Sequence, residues 1–143
     1  MKYFIGTDHA GFLVKPFVIE FLEKKGIEVE DLGTYSTESV DYPDFAHKVA
    51  KAVLDNEGSK GILICGTGIG MSLAANKHKG IRAALCHDAY TAEMARRHNN
   101  ANILCFGERV VGKGVIESIL NAWLNAKFEG GRHQRRVEKI DNF

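Results

Sequence analysis

One stretch of the sequence joins a nucleophilic side chain to a glycine-rich loop. Residues 61–65 are apolar and end in Cys65. Five residues follow directly: Gly66, Thr67, Gly68, Ile69 and Gly70. Glycines let a backbone approach a ligand closely, and the N–H groups of such a loop can bind an anion together. A helix that starts after the loop adds a field that favours negative charge. The pattern therefore predicts a site for a phosphate or for a developing enediolate.

Cys65 itself has two interpretations. Beside such a loop a thiol can ionise and act as a base or a nucleophile. It can equally be a small buried residue at the end of a strand. The hydroxyl groups of Thr67 and Ser72 are close to it in the chain and could contact the same ligand.

Two polar pairs could supply further chemistry. Asp8 and His9 directly follow an apolar run, so they could project into a ligand crevice, although Asp8 could instead cap the next helix. His98 and Asn99 close a predicted helix. There the histidine could interact with the helix dipole, or it could carry a proton beside an amide that stabilises an oxyanion.

The C-terminal tail is locally basic. Residues 127–139 hold five basic residues against two acidic ones. Arg132 and Arg136 are four residues apart, so in a helix they share a face and could bind one phosphate together. A solvated basic tail is the alternative.

Short apolar runs alternate with stretches of helical periodicity. Strands are predicted at 3–5, 27–32, 61–65, 81–85 and 103–106. Helices are predicted at about 11–25, 43–56, 89–97 and 115–127, and one more follows Gly70. Pro16 allows the first helix to begin nearer Leu13. Strict alternation predicts a Rossmann-like α/β fold, a three-layer α/β/α sandwich around a five-stranded parallel sheet.

Such sheets bind ligands outside the carboxyl ends of their strands. The residues expected along that rim are Asp8 and His9, 65–70, 86–88 and 107–109.

Composition excludes several classes of function. A chain of 143 residues with a net charge of +1 predicts one domain, residues 1–143, without the field that attracts nucleic acid or an anionic membrane. No stretch approaches the ~20 apolar residues of a membrane span. The cysteines Cys65, Cys86 and Cys105 form no CxxC pair, which favours reduced thiols and a cytoplasmic location.

The sequence resembles the type B ribose-5-phosphate isomerases, which are grouped with galactose-6-phosphate and allose-6-phosphate isomerases. The match runs nearly end to end and includes Asp8-His9-Ala10-Gly11, Asp41-Tyr42-Pro43-Asp44, Cys65-Gly66-Thr67-Gly68-Ile69-Gly70-Met71-Ser72, Ala74-Ala75-Asn76-Lys77, Gly80-Ile81-Arg82-Ala83, His98-Asn99 and Gly130-Gly131-Arg132-His133. The resemblance implies aldose–ketose isomerisation of a sugar phosphate. It also implies an α/β/α sandwich, assembly as a dimer or tetramer, and no metal or organic cofactor.

The resemblance implies a role for each matching position. Cys65 would be the base that moves a proton between the first two sugar carbons through a cis-enediolate. Some relatives use a glutamate a few positions later, but residues 69–72 here contain none. Asp8, Thr67 and His98 would open the sugar ring and bind hydroxyl groups, and Asn99 would help the loop amides stabilise the enediolate.

The remaining roles concern binding. The phosphate would be held by His9, Arg132 and Arg136, with Arg109 and the 128–143 tail contributing. Tyr42 would form a wall for the substrate. The other substrate-binding positions are Gly66, Gly68, Ile69, Gly70 and Ser72.

The resemblance further implies a crevice completed across a dimer interface, with His98, Asn99 and Arg109 supplied by the neighbouring subunit. The leading hypothesis is interconversion of ribose 5-phosphate and ribulose 5-phosphate. Allose 6-phosphate or galactose 6-phosphate is the alternative substrate. A non-catalytic sugar-phosphate sensor is a third hypothesis. The presence of Cys65, Asp8 and His98 argues against it, because a sensor would not need the base or the ring-opening residues.

Overall fold

The computed structural model describes all 143 residues and contains one parallel sheet. Its strands are β1 (Lys2–Thr7), β2 (Glu28–Asp31), β3 (Lys60–Cys65), β4 (Ala83–Leu85) and β5 (Ile103–Gly107). Their spatial order is β2-β1-β3-β5-β4, and every neighbouring pair is parallel. The apolar strand β3 therefore lies at the centre of the sheet. Strand β2 is an edge strand, and its alternation of apolar and acidic residues fits a strand with one face exposed to solvent.

Six α-helices connect or follow the strands. They are α1 (Lys15–Lys24), α2 (Tyr42–Asp55), α3 (Ile69–Ala75), α4 (Ala89–Arg97), α5 (Lys113–Asn125) and α6 (Arg132–Asp141). None of them combines the length and the apolar composition that a membrane crossing requires.

Two hydrophobic cores lie on the two faces of the sheet. One contains Val18 of α1, Ala92 of α4 and Trp123 of α5. The other contains Val49 of α2 and Met71 of α3. Helices thus cover both faces, which confirms the predicted α/β/α sandwich.

The predicted boundaries differ from the structure at particular residues. Strand β4 begins at Ala83 rather than Ile81, because the N–H of Arg82 donates to the Asn102 side chain at 2.8 Å and leaves the strand ladder. Helix α1 begins at Lys15 with Pro16 in its first turn, after a 3₁₀ turn at Phe12–Val14. Helix α5 begins and ends two residues earlier than predicted.

Candidate active site

The glycine loop, residues 66–70, is packed tightly against the end of β5. Gly68 has a φ of +81°, and a Cβ added there would lie 2.8 Å from the Phe106 carbonyl carbon. A Cβ added at Gly107 would lie 2.5 Å from the backbone of Thr67. Only glycines allow this approach, so the path of the loop is set by backbone packing.

The thiol of Cys65 lies at the start of this loop and is 5% exposed. The Gly68 N–H donates to its Sγ at 3.1 Å. The N–H groups of Gly66, Thr67, Gly70 and Met71 donate to no group of the chain. The loop and the first turn of α3 therefore offer four free donors near one thiol, which is what binding an oxyanion requires.

The other two cysteines have no such setting. Burial raises the pKa of the Cys86 thiol to about 11. Burial also raises the pKa of Cys105 well above its ordinary value. Neither thiol is therefore suited to act as a base near neutral pH.

Asp8 and His9 follow β1 and lie next to the end of β3, because the Asp8 N–H donates to the Ile64 carbonyl at 3.3 Å. The Asp8 carboxylate accepts the N–H groups of Ala10 and Gly11 through Oδ1, at 2.9 and 3.1 Å. It thus organises the turn before α1 and keeps Oδ2 for another partner. His9 Nδ1 accepts the Val40 N–H at 3.1 Å, which leaves its Nε2 to carry the proton and donate to an anion.

Three more predicted residues surround the loop. A Cβ added at Gly70 would lie 2.4 Å from the Tyr42 ring, so Tyr42 forms a wall over the loop. A Cβ added at Gly66 would lie 3.3 Å from Arg109 Nη1, which places this guanidinium beside the loop of its own chain. The Ser72 hydroxyl donates to the Ile69 carbonyl at 2.7 Å and is largely used within α3.

His98 and Asn99 lie at the opposite end of the sheet. Helix α4 begins after Asp88, whose carboxylate accepts the Thr91 N–H at 2.7 Å, and it runs back to His98. The chain then reaches Asn102, whose carbonyl accepts the N–H of Gly61 at the start of β3. A six-residue strand is about 20 Å long, so Cys65 and His98 of one chain do not share a site.

Arg132 and Arg136 belong to the same distant end. The Glu129 N–H donates to the Arg97 carbonyl at 3.0 Å, just before α6 begins. At the other end of α6, Asp141 pairs at 2.7 Å with Arg82, which precedes β4. The tail is thus helical with both arginines on one face, and neither arginine pairs with an acidic residue.

Lys15 is a buried charged residue that the sequence does not predict. Its ammonium is 3% exposed, lies 2.8 Å from Asp31 Oδ1 and donates to the Thr34 carbonyl. These contacts fix the segment that leads from β2 to Val40 and Tyr42. A lysine at helical spacing predicts a solvated residue, so the local pattern contains no signal for this role.

His133 was also missed as part of a site. Its ring stacks on His98, with 4.2 Å between ring centroids and 6° between planes. Glu129 lies near both, 3.8 Å from His98 Nε2 and 3.5 Å from His133 Nε2. The four-residue spacing of Glu129 and His133 was the available signal.

The structure divides the predicted site residues into two groups. The first surrounds the carboxyl ends of the strands: Asp8, His9, Tyr42, Cys65, Gly66, Thr67, Gly68, Ile69, Gly70, Ser72 and Arg109. The second lies at the amino ends: His98, Asn99, Arg132 and Arg136. Five surface cavities of the chain are lined by other residues and include neither Cys65 nor its loop.

Comparison with known proteins identifies the family of this chain. A family model described as Ribose/Galactose Isomerase matches residues 3–140. The chain belongs to this family. Within the ribose/galactose isomerase family it is 52% identical to ribose-5-phosphate isomerase B of Escherichia coli over 139 residues, 97% of this chain and 93% of that protein.

Two further relatives bear on the fold of this chain and on the range of substrates named in the family. The structure of Clostridium thermocellum ribose-5-phosphate isomerase B matches with a TM-score of 0.97 and 56% identity, covering 99% of this chain and 96% of that one. D-erythrulose-4-phosphate isomerase of Pectobacterium atrosepticum is 47% identical over 95% of this chain and 90% of its own length. Family members that are about equally similar to this chain thus carry the names of different sugar phosphates.

Proposed function

We propose that this protein is an aldose–ketose isomerase that interconverts ribose 5-phosphate and ribulose 5-phosphate, with Cys65 as the base. The observation that carries the proposal is the Cys65 thiol near four unpaired amides of the loop and the first turn of α3, with a fifth amide donating to its Sγ. An isomerase of this class needs both a base for a carbon-bound proton and donors for the two oxygens of an enediolate.

The reaction can be followed atom by atom. The thiolate of Cys65 removes the hydrogen on C2 of the open-chain aldose, and the electron pair forms the C1–C2 double bond of a cis-enediolate. The thiol returns that hydrogen to C1, while the hydroxyl proton passes from O2 to O1. No atom is gained or lost, and the loop amides stabilise the negative oxygens in between.

Ring opening and phosphate binding use the other predicted residues. Asp8 Oδ2 and Thr67 are placed to contact the sugar hydroxyls, and His98 transfers the proton that opens the ring. His9, through Nε2–H, and Arg109 lie on the Cys65 side of the phosphate. Arg132 and Arg136, in the tail from 128 to 143, hold its remaining oxygens through charge-assisted hydrogen bonds.

The complete site requires two copies of the chain, because its two groups of residues lie about 20 Å apart in one copy. A second observation supports a homodimer with shared sites. Apolar side chains that follow the carboxyl ends of β3, β4 and β5 are exposed along this edge of the sheet: Ile69 by 50%, Leu73 by 64%, Tyr90 by 71% and Val110 by 52%. Such a patch is typical of a surface that another subunit covers. Arg109 was expected from the neighbouring subunit, but its place beside Gly66 supports a role in the site of its own chain.

The three free cysteines support a reducing compartment, and we place the enzyme in the cytoplasm. The net charge of +1 argues against nucleic acid or an anionic membrane as a partner.

The deciding experiment compares substrates on metal-free protein. Ribose 5-phosphate, allose 6-phosphate, galactose 6-phosphate and erythrulose 4-phosphate are assayed side by side with wild-type protein and Cys65→Ala. The highest kcat/KM is expected for ribose 5-phosphate, with the variant inactive. A higher kcat/KM for another sugar would mean that this sugar is the substrate, with the same isomerisation chemistry. No turnover of any sugar would favour a sugar-phosphate sensor.

A further inference from the structure

Three potential metal ligands converge at the amino end of the sheet. His98 ends α4, Glu129 lies in the link between α5 and α6, and His133 lies in the first turn of α6. Their ligand atoms all lie within 4.8 Å of one another. We call these three residues the histidine cluster.

The two imidazole rings are arranged so that their Nε2 atoms face one carboxylate oxygen. The rings are stacked, and both Nε2 atoms lie within 3.8 Å of Glu129 Oε1. Two stacked imidazoles repel each other when both are protonated. A neutral imidazole is the form that binds a metal.

The carboxylate of Glu129 is held in place by a different group. Arg97 contacts Oε2 through Nε at 2.7 Å and through Nη2 at 2.6 Å. Oε1 is therefore left for the two histidines. A second partner that orients a ligating carboxylate is common around metal ions in proteins.

We infer that His98, Glu129 and His133 form a binding site for a divalent transition-metal ion of the zinc class. Two imidazole nitrogens and one carboxylate oxygen are a frequent zinc ligand set. In a tetrahedral zinc site the ligand atoms lie about 3.3 Å apart and each imidazole directs its in-plane lone pair at the ion, so the two stacked rings rotate away from parallel when the ion binds. The His98 side chain is 37% exposed, which leaves a fourth position open to water. Mg²⁺ and Ca²⁺ prefer oxygen ligands and are not expected to bind there.

Metal binding has a consequence for catalysis that rests on the proposed function. An ion on His98 Nε2 occupies the side chain that would open the sugar ring. The site is therefore inhibitory, and a zinc-class ion is expected to lower turnover of the cyclic sugar.

Binding can be tested without any assay of activity. Chelator-treated wild-type protein is titrated with Zn²⁺ in a calorimeter, alongside His133→Gln and Arg135→Gln. Arg135 is exposed on the same helix and lies outside the histidine cluster, so it is the matched control. One ion per chain is expected for the wild type and the control, with affinity lowered about 10-fold or more in His133→Gln. Equal affinity in all three proteins, or no binding to the wild type, would overturn the inference.

A second measurement avoids reliance on the folding of a variant. Co²⁺ bound to unmodified protein is expected to give the visible absorption of a tetrahedral site with nitrogen and oxygen ligands. A thiolate ligand would add intense near-ultraviolet absorption. Such absorption, present in the wild type and lost in Cys65→Ser, would place the ion at the glycine loop and overturn the inference.

The inhibitory consequence has its own readout. Zn²⁺ at a concentration that saturates the calorimetric site should reduce kcat in the wild type and in Arg135→Gln, and less in His133→Gln. Full activity with the site saturated would overturn this consequence. Zinc binding by a protein that isomerises no sugar would contradict the proposed function and leave the metal site supported.

Discussion

The two ends of the sheet are built in different ways. At the carboxyl ends the glycine loop is fixed by backbone contacts, with Gly68 against Phe106 and Gly107 against Thr67. At the amino ends His98 ends α4, Arg132 begins α6 and Arg136 lies in its middle, while the ion pairs Arg97–Glu129 and Arg82–Asp141 anchor the two ends of α6. One end presents free amide donors on a close-packed backbone, and the other presents charges on exposed arginine side chains.

This difference matches what each end is proposed to do. Stabilising an enediolate requires donors that do not reorganise during the reaction, which a close-packed loop provides. Binding a phosphate requires charge and forked hydrogen bonds, which the exposed Arg132 and Arg136 provide. In the proposed dimer the two ends are complementary parts of one site.

The largest effect on activity should come from the carboxyl end of the sheet, which holds Cys65 and the glycine loop. Cys65→Ala removes the proposed base, and general acid–base catalysis contributes about 10²–10⁴-fold, so kcat should fall by that factor. Cys86→Ala is the matched control, because the pKa of its thiol, about 11, excludes it from catalysis. Steady-state assays of ketose formation provide the comparison. A Cys65→Ala protein with more than a tenth of normal kcat would refute the thiol as the base.

Substitutions at the amino end of the sheet should affect substrate binding more than the chemical step. Arg136→Gln removes one guanidinium from the phosphate clamp, which costs about 1.5–3 kcal/mol, or about 10–100-fold in kcat/KM. Most of this change should appear in KM, because the phosphate is bound equally in substrate and transition state. Arg135→Gln, on another face of α6, should change neither constant. A fall in kcat alone would show that Arg136 contacts the reacting atoms.

Two glycine substitutions separate the effect of loop packing on stability from the effect of a positive φ. Gly58 and Gly68 have similar positive φ values of +84° and +81°, but nothing lies within 4 Å of a Cβ added at Gly58. Gly58→Ala should lower the free energy of unfolding by about 1–2 kcal/mol. Gly68→Ala should lower it by about 1–3 kcal/mol more, because of the contacts with Leu85 and Phe106. Urea denaturation measures both, and equal losses would mean that the loop is not held by packing.

The smallest effect is the most direct test that the two ends belong to different chains. Cys65→Ala and His98→Ala proteins are unfolded together, refolded and assayed. Random pairing of equal amounts makes half of the dimers mixed, and each mixed dimer has one intact site, so about a quarter of the sites should recover. Each variant refolded alone is the control. No recovery, with mixed dimers demonstrated by mass, would refute the shared site.

Much of the carboxyl-end group could be predicted from the sequence because its signals are local. An apolar strand, a terminal thiol and closely spaced glycines occupy ten consecutive residues from Gly61 to Gly70. The parallel order of the strands then follows from their alternation with helices. The loop amides, Asp8 and His9 were placed together on this basis.

The amino-end group shows where local signals stop. Histidines and arginines at helix ends have the same pattern whether they are solvated or functional, so the pairing of His98 with His133 depends on how α4 and α6 pack. Lys15 is the extreme case, since its partners Asp31 and Thr34 are brought to it by the sheet. No spacing within α1 predicts a buried ammonium group.

The return of α4 to the far end of the sheet has a consequence for how much of the protein is active in a cell. In the proposed dimer half of each site lies on either chain, so activity in dilute solution is set by mass action between copies. Below the dissociation constant of the dimer, the rate should rise with the square of protein concentration rather than in proportion to it. A modest change in expression near that concentration would therefore produce a larger change in flux.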